Sequence, residues 1–200
     1  MKLQWRREKV VIYPARITKS WDVLKTTKSL LKTFENSVFI DIGCGSSRVL
    51  FAAALKGYRH LAGIELSKSL ADLSGQNLRA NLPKDVDYKI LNCDAQDVDF
   101  SDLIEGFQGQ IDSLVLFIGG AYLEDLKAFF IELNRLGEKE IYIINLGPQK
   151  NRFDFEESGF SIIFEEIRER PPWVQNFVKA SGAFKYSYNK PFSYRVYKNI

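Results

Sequence analysis

Asp41-Ile42-Gly43-Cys44-Gly45-Ser46-Ser47 decides the fold of this 200-residue chain. An apolar run, Val38-Phe39-Ile40, precedes it, and an apolar, helix-like segment, Val49 to Leu55, follows. That order reads strand, glycine turn, helix. Glycines at 43 and 45 let the backbone turn sharply and leave room for a ligand against the main chain. N–H groups exposed at the start of the next helix favour anionic or polar groups.

Outward from this turn the chain alternates. Val38 to Ile42 reads as the first strand and Ser47 to Lys56 as a helix, ended by Gly57. His60 to Glu65 is a short strand. Ser67 is placed to cap a helix running to about Asn81, with Pro83 marking the break. Val86 to Leu91 is a third strand, and Ile111 to Ile118 is apolar almost throughout, as a buried parallel strand should be. Tyr122 to Leu136 reads as helix and Glu140 to Leu146 as another buried strand. A short helix over Phe153 to Ser158 and strands over Phe160 to Ile167 and Phe192 to Lys198 close the chain. Before the first strand, Trp21 to Phe34 has a helical pattern with Ser20 as its N-cap. Such alternation predicts an α/β domain, doubly wound on a mostly parallel sheet with helices on both faces. Crossovers then bring the strand ends at 42, 65, 91 and 118 to one edge, where such sheets bind their ligands.

The domain division expected is a single unit over 1–200. Within it, 1–35 is a basic arm and helix, 36–146 the cofactor-binding core, and 147–200 the closing strands and the substrate-side connection. Composition is that of a globular domain: 46% hydrophobic and 26% charged residues, with no apolar run near the ~20 residues of a membrane span. The apolar stretch Val10 to Tyr13 is too short for the core of a signal peptide. Two distant cysteines, Cys44 and Cys93, give neither a disulfide framework nor a metal-ligand spacing, so the expected compartment is the reducing cytoplasm and no metal is expected. The net charge of +3 is uneven: residues 1–32 carry +7 and the rest −4. A basic arm suits an acidic partner, although a solvated helix face explains it as well.

Two ligand classes use a glycine turn after the first strand. A dinucleotide fingerprint needs Gly-x-Gly-x-x-Gly, and its third glycine falls here on Arg48. The chain reads Asp-x-Gly-x-Gly-x-Ser instead. A carboxylate at Asp41 is poorly placed beside a pyrophosphate and well placed beside a cationic amino group. Glu65 ends the second strand 20 residues after Gly45, where an acid can accept hydrogen bonds from both hydroxyls of a ribose. A surface acid at a strand end is the plainer reading of the same residue.

With these residues in place, the chain resembles the class I, seven-stranded S-adenosylmethionine-dependent methyltransferases over residues 38 to about 146. The resemblance implies a seven-stranded sheet with an antiparallel last strand. Asp41, Ile42, Gly43, Cys44, Gly45 and Ser47 lie in what looks like the family's first motif, with Ser47 in place of a third glycine. The resemblance implies that this loop wraps the methionine part of the cofactor and that Glu65 holds the ribose, with Leu66 beside the adenine. Asp94, after the third strand, would accept from the adenine amino group and Ala95 would offer a backbone N–H; Asp97 competes for the first role. Phe117 and Ile118 would pass beneath the methyl donor, although Phe117 also reads as core. Both cysteines would fall beside this pocket as small packing residues, with no basic partner to make either a nucleophile.

Methyl transfer from a sulfonium is an in-line displacement whose leaving group is already cationic, so alignment carries much of the catalysis. That suits a chain with one histidine, His60, placed at the far edge of the sheet. A Ser-His-Asp hydrolase is excluded on the same ground. After the fourth strand the chain reads Ile118-Gly119-Gly120-Ala121-Tyr122, without the Asn/Asp-Pro-Pro-aromatic turn often carried by methyltransferases of nucleobase amines or glutamine. This counts against amino-methylation of adenine and says nothing about aliphatic amines. The Gly45 to Ala54 helix followed by Gly63-Ile64-Glu65-Leu66 is similar to the motif region of seven-stranded protein-lysine methyltransferases, over ~30 residues. A protein lysine is therefore one acceptor, with RNA and small molecules as alternatives. An NAD(P)-dependent oxidoreductase or a non-catalytic cofactor-binding module are the readings outside this class. Tyr122 and Asn145 are the catalytic candidates; each also reads as structural. Tyr13-Pro14-Ala15-Arg16 is a candidate lid. Residues 168–190, with Pro171-Pro172-Trp173, Phe177, Phe184, Tyr186 and Tyr188, are a candidate grip on a peptide or base, or else a packed hairpin.

Overall fold

The computed structural model describes residues 36–119, 127–137, 139–148, 158–168 and 192–199. Seven strands make one sheet: β1 (Ser37–Ile42), β2 (His60–Ile64), β3 (Asp87–Leu91), β4 (Ser113–Gly119), β5 (Glu140–Pro148), β6 (Phe160–Arg168) and β7 (Phe192–Asn199). Their spatial order is β3-β2-β1-β4-β5-β7-β6. The first five pair in parallel. β7 runs antiparallel to both of its neighbours, β5 and β6. The chain therefore builds outward from β1 to β3, then returns to place β4 on the other side of β1. The reversal point lies at the carboxyl ends of β1 and β4, beside the glycine turn, where open α/β sheets bind ligands.

Alternation along the strands sorts the helices. Phe39, Leu61, Val115, Tyr142, Ile144 and Val196 face one side and pack with α1 (Arg48–Leu55) and with Leu78 of α2 (Lys68–Asn81). Val38, Ile40, Ile42, Leu116 and Ile143 face the other, against α3 (Phe100–Glu105) and α4 (Lys127–Arg135). Each fully buried Leu, Ile or Phe contributes about 1.5–3 kcal/mol. Two continuous cores of such residues hold the sheet far more firmly than any surface ion pair could.

The expected strands all form, with ends shifted by a residue or two. Gly57, at φ 98°, follows α1 as expected. Ser67 takes the N-cap position of α2, but its hydroxyl makes no capping bond. Its N–H instead donates to Glu65 Oε1 at 2.9 Å. The crossover between β3 and β4 is a one-turn 3-10 helix, Ala95–Asp97, followed by α3. Asp99 caps α3 by accepting from the N–H groups of Ser101 and Asp102. β6 carries a bulge between Ile162 and Phe164, and Ile162 and Ile163 are exposed beside it. The expected helix over Trp21 to Phe34, the start of the Tyr122 helix and most of the Phe153 to Ser158 turn lie outside the described residues.

Candidate active site

The turn after β1 is wound tightly and tied on three sides. Gly43 (φ 74°) and Gly45 (φ 54°) take the left-handed conformation that their lack of a side chain allows. The Gly43 and Cys44 N–H groups both donate to the Ile64 carbonyl, at 2.8 and 3.1 Å. The Ser47 N–H donates to the Cys44 carbonyl at 2.9 Å. From α2, Asn77 Nδ2 donates to the Ser46 carbonyl at 3.3 Å. The N–H groups of Gly43, Cys44, Gly45 and Ser47 are all spent inside the protein.

Ser47 occupies the slot of a third glycine and adopts a glycine's backbone, φ 68° and ψ 24°. For a side-chain-bearing residue that conformation costs on the order of 1–2 kcal/mol. Compensation comes from its buried hydroxyl, which hydrogen-bonds the Ser74 hydroxyl of α2. Cys44 completes this small polar cluster, its Sγ 3.7 Å from Ser74 Oγ. Burial, joined by the charge of Asp41, pushes the Cys44 thiol up to about 12, so it is no nucleophile. Cys93 is also raised, by burial and then by Asp97 and Asp94. Gly63 makes room for Cys44: a Cβ there would stand 2.7 Å from Cys44 Sγ and from Ile90 Cδ1.

Glu65 joins the first two loops. Its Oε2 accepts from the Gly45 N–H at 2.9 Å, and its Oε1 accepts from the Ser67 N–H at 2.9 Å. The 20-residue spacing read from the sequence is thus a direct contact. Each carboxylate oxygen keeps a lone pair for a further donor. Asp41 lies buried at the end of β1 in register with Gly63 and Phe117. Burial holds its carboxyl well above the usual range, Glu65 adds to this, and Arg48 pulls the other way. Carboxyl oxygens at both positions are acceptors suited to an amine or hydroxyl donor.

Beyond Glu65, Leu66 stands 71% exposed at the same edge. Asn92, which sequence reasoning missed, donates through Nδ2 to the carbonyls of Glu65 and Leu66, both at 2.9 Å. Asp94 caps the 3-10 turn, exposed, and accepts from the Gln96 N–H through Oδ1; Ala95 follows it on the turn with Asp97. Phe117 and Ile118 are both buried, on opposite faces of β4, and the Phe117 ring leans toward Gly119, where a Cβ would stand 3.2 Å from its Cε1.

The far side of the edge is polar beneath its surface. Asn145, at 3% exposure, sits in register with Ile118 on one side and Arg195 on the other. Its Oδ1 is buried and has no hydrogen-bond partner among the described residues. Arg195 is buried as well and donates from Nε to Glu165 Oε1 at 2.6 Å. Burial alone would lower the Arg195 pKa; hydrogen bonds with Glu165 and Tyr197 outweigh it and raise it. Neither Arg195 nor Glu165 carries a sequence signal, because the pair forms only through the register of two antiparallel strands. Tyr122, the candidate lid at 13–16 and the stretch 169–191 lie outside the described residues.

The sheet order and the bracing of the first loop by an acid at the end of β2 define a doubly wound α/β domain with its candidate ligand edge beside that loop. The family model described as "Methyltransferase domain" matches residues 40–144, over half of the sequence. The chain belongs to that family, the seven-stranded, S-adenosylmethionine-dependent methyltransferases. S-adenosylmethionine is the cofactor of this class. Among curated proteins it is similar to the ribosomal protein L11 methyltransferase of Caldanaerobacter subterraneus subsp. tengcongensis, 24% identical over 166 residues, 79% of this chain. The chain spans about half the length of that relative, 49%. Solved structures share the fold. Magnesium protoporphyrin IX methyltransferase (ChlM) of Synechocystis PCC 6803, with bound S-adenosylmethionine, has a TM-score of 0.58 at 12% identity, covering 93% of this chain and 79% of that one. A Pyrococcus horikoshii protein with a provisional RNA-methyltransferase assignment has a TM-score of 0.60 at 17% identity, covering 100% and 93%. The cyclase SpnF has a TM-score of 0.64 at 13% identity, covering 98% and 85%. No helix among the described residues is long and apolar enough to cross a membrane.

Proposed function

We propose that this chain transfers a methyl group from S-adenosylmethionine to an amine of a protein acceptor, with residues 36–146 holding the cofactor and 147–200 serving the acceptor side. The observation that carries this reading is the Glu65 carboxylate, fixed between the Gly45 and Ser67 N–H groups with lone pairs to spare. Glu65 would take both ribose hydroxyls, with Leu66 beside the adenine. Asp94 through Oδ2, and the Ala95 N–H, would meet the adenine edge. Gly43, Cys44, Gly45 and Ser47 would form the wall against the amino-acid part, and Asp41, below them with Ile42, would attract its ammonium group. Phe117 and Ile118 would floor the site.

When bound, the cofactor supplies a methyl group on a sulfonium, whose departure needs no acid. What remains for the protein is to align a nucleophile and to accept its proton. Asn145 is best suited to orient an acceptor nitrogen, since its buried Oδ1 lacks a donor among the described residues. Tyr122 is the second candidate.

A protein acceptor is supported by the similarity to an enzyme named for a ribosomal protein and by the Gly45 to Ala54 motif. An RNA acceptor is the second reading, favoured by the full-length match to the Pyrococcus structure. Calorimetric titration with S-adenosylhomocysteine tests the cofactor assignment: saturable heat is expected, and its absence overturns the reading. Lysate incubated with protein and methyl-labelled cofactor tests the acceptor. Label released by protease and resistant to nuclease is expected; the opposite pattern replaces the protein acceptor with RNA.

A further inference from the structure

We propose that Asn92 is a positioning residue for the adenosine half of the cofactor, acting through the Glu65–Leu66 main chain. The inference rests on the reading that this edge takes ribose and adenine. Asn92 follows β3, and its single amide nitrogen donates to two successive carbonyls, Glu65 O and Leu66 O, at 2.9 Å each. Both neighbours are acceptors, so the amide can face them only through its NH2 group. The Glu65 N–H donates in turn to the Leu91 carbonyl at 3.0 Å. The loop after β2 is thereby clamped to the end of β3 by three hydrogen bonds.

Burial does not hold this loop. Leu66 is largely in solvent and Glu65 only half-buried. Without Asn92, the backbone carrying the ribose acid and the exposed leucine keeps only its end contacts. Glu65 would still reach Gly45, but the angle of its carboxylate and the position of Leu66 would wander. Asn92 itself is exposed, so its two carbonyl partners find water if it is removed. Folding then loses little, and ligand binding must re-order the loop.

This separates a positioning role from a structural one. Asn92→Ala and Asn92→Asp are titrated with S-adenosylhomocysteine and with 5′-methylthioadenosine, which keeps the adenosine and lacks the amino acid. Affinity is expected to fall about tenfold for both ligands in Asn92→Ala, with Tm nearly unchanged. Asn92→Asp, equal in shape but unable to donate and repelled by two carbonyls, should bind at least as weakly. Wild-type affinity in Asn92→Asp overturns the inference. So does a loss confined to S-adenosylhomocysteine, or a loss that only tracks a falling Tm. Wild-type protein that binds neither ligand overturns the site reading and this inference with it, and is told apart by that control alone.

Discussion

The two ends of this sheet solve the problem of polar groups differently. At the parallel end, the loops after β1, β2 and β3 are stitched by backbone hydrogen bonds and by three exposed or half-buried side chains, Glu65, Asn77 and Asn92, above a buried Asp41 and the buried Ser47–Ser74 pair. At the antiparallel end, β5, β7 and β6 bury an asparagine and an arginine outright. The first arrangement leaves folding stability in the apolar core and uses polar groups to shape a ligand edge. The second makes stability itself depend on a charge finding its partner. Substitutions should therefore move ligand affinity at one end and stability at the other.

The sharpest test is Glu165→Ala, which strands the buried Arg195 guanidinium. It should cost about 3 kcal/mol in urea unfolding, at the low end for a broken pair because Glu165 is partly exposed. Affinity for S-adenosylhomocysteine should hold, and an unchanged unfolding midpoint would erase the contrast between the two ends. The mirror experiment is Glu65→Ala. Affinity for S-adenosylhomocysteine should drop about 150-fold, the scale of two lost hydrogen bonds to a charged group at about 1.5 kcal/mol each, with stability lowered by about 1–2 kcal/mol as the Gly45 and Ser67 N–H groups lose their acceptor. Unaltered affinity by calorimetry removes the ribose assignment.

Gly63→Ala tests whether the parallel end tolerates crowding. The added methyl meets Cys44 Sγ and Ile90 Cδ1 at 2.7 Å, and a loss of about 1–2 kcal/mol is expected in thermal unfolding. Combining it with Cys44→Ala should recover part of that loss, since one of the two clashing atoms is then absent.

Asp41 links stability and binding through pH. Burial raises its folded pKa above the ordinary 3.8, so above that pH the folded chain keeps a proton that the unfolded chain has released. Stability then falls as pH rises from about 4 through the folded titration. A ligand ammonium favours the ionised form, so binding of S-adenosylhomocysteine within that window should release a fraction of a proton. Calorimetry in buffers of different ionisation enthalpy reads this directly. Asp41→Asn should abolish the release, flatten that slope and weaken binding. The smallest effect belongs to Ser47→Gly. Relief of the left-handed strain and loss of the bond to Ser74 should nearly cancel, within ~0.5 kcal/mol by chemical unfolding, whereas Ser47→Ala keeps the strain and should cost about 1 kcal/mol.

The same contrast explains what could be read from the sequence. Strand periodicity, the glycine turn and the Gly45 to Glu65 spacing are local or short-range patterns, and the described strands and the Gly45–Glu65 contact follow them. That the turn's own N–H groups are taken was not legible, because the Ile64 carbonyl that engages two of them lies on the neighbouring strand. Asn92 left no trace because an asparagine after a strand is ordinary; its meaning lies in two carbonyls 26 and 27 residues earlier. Arg195 and Glu165 meet only after β7 has slotted beside β6, around a bulge that no periodicity announces. Gly63 reads as a weak strand residue until Cys44 is seen to fill its empty side.

The place of β7 has a consequence for how the chain is made. Among the described residues, β6 hydrogen-bonds only to β7, and β5 reaches β6 only through it. During synthesis β6 leaves the ribosome before its partner exists. For the time needed to add some two dozen residues, Phe160–Arg168 is a strand without a ladder, and the outer edge of β5 is bare. Unpaired strand edges invite association with other chains. Its bulge and the charge of Glu165 are the devices that blunt such an edge. The β5 to β1 core, complete by residue 148, gives the late strand a finished surface on which to dock.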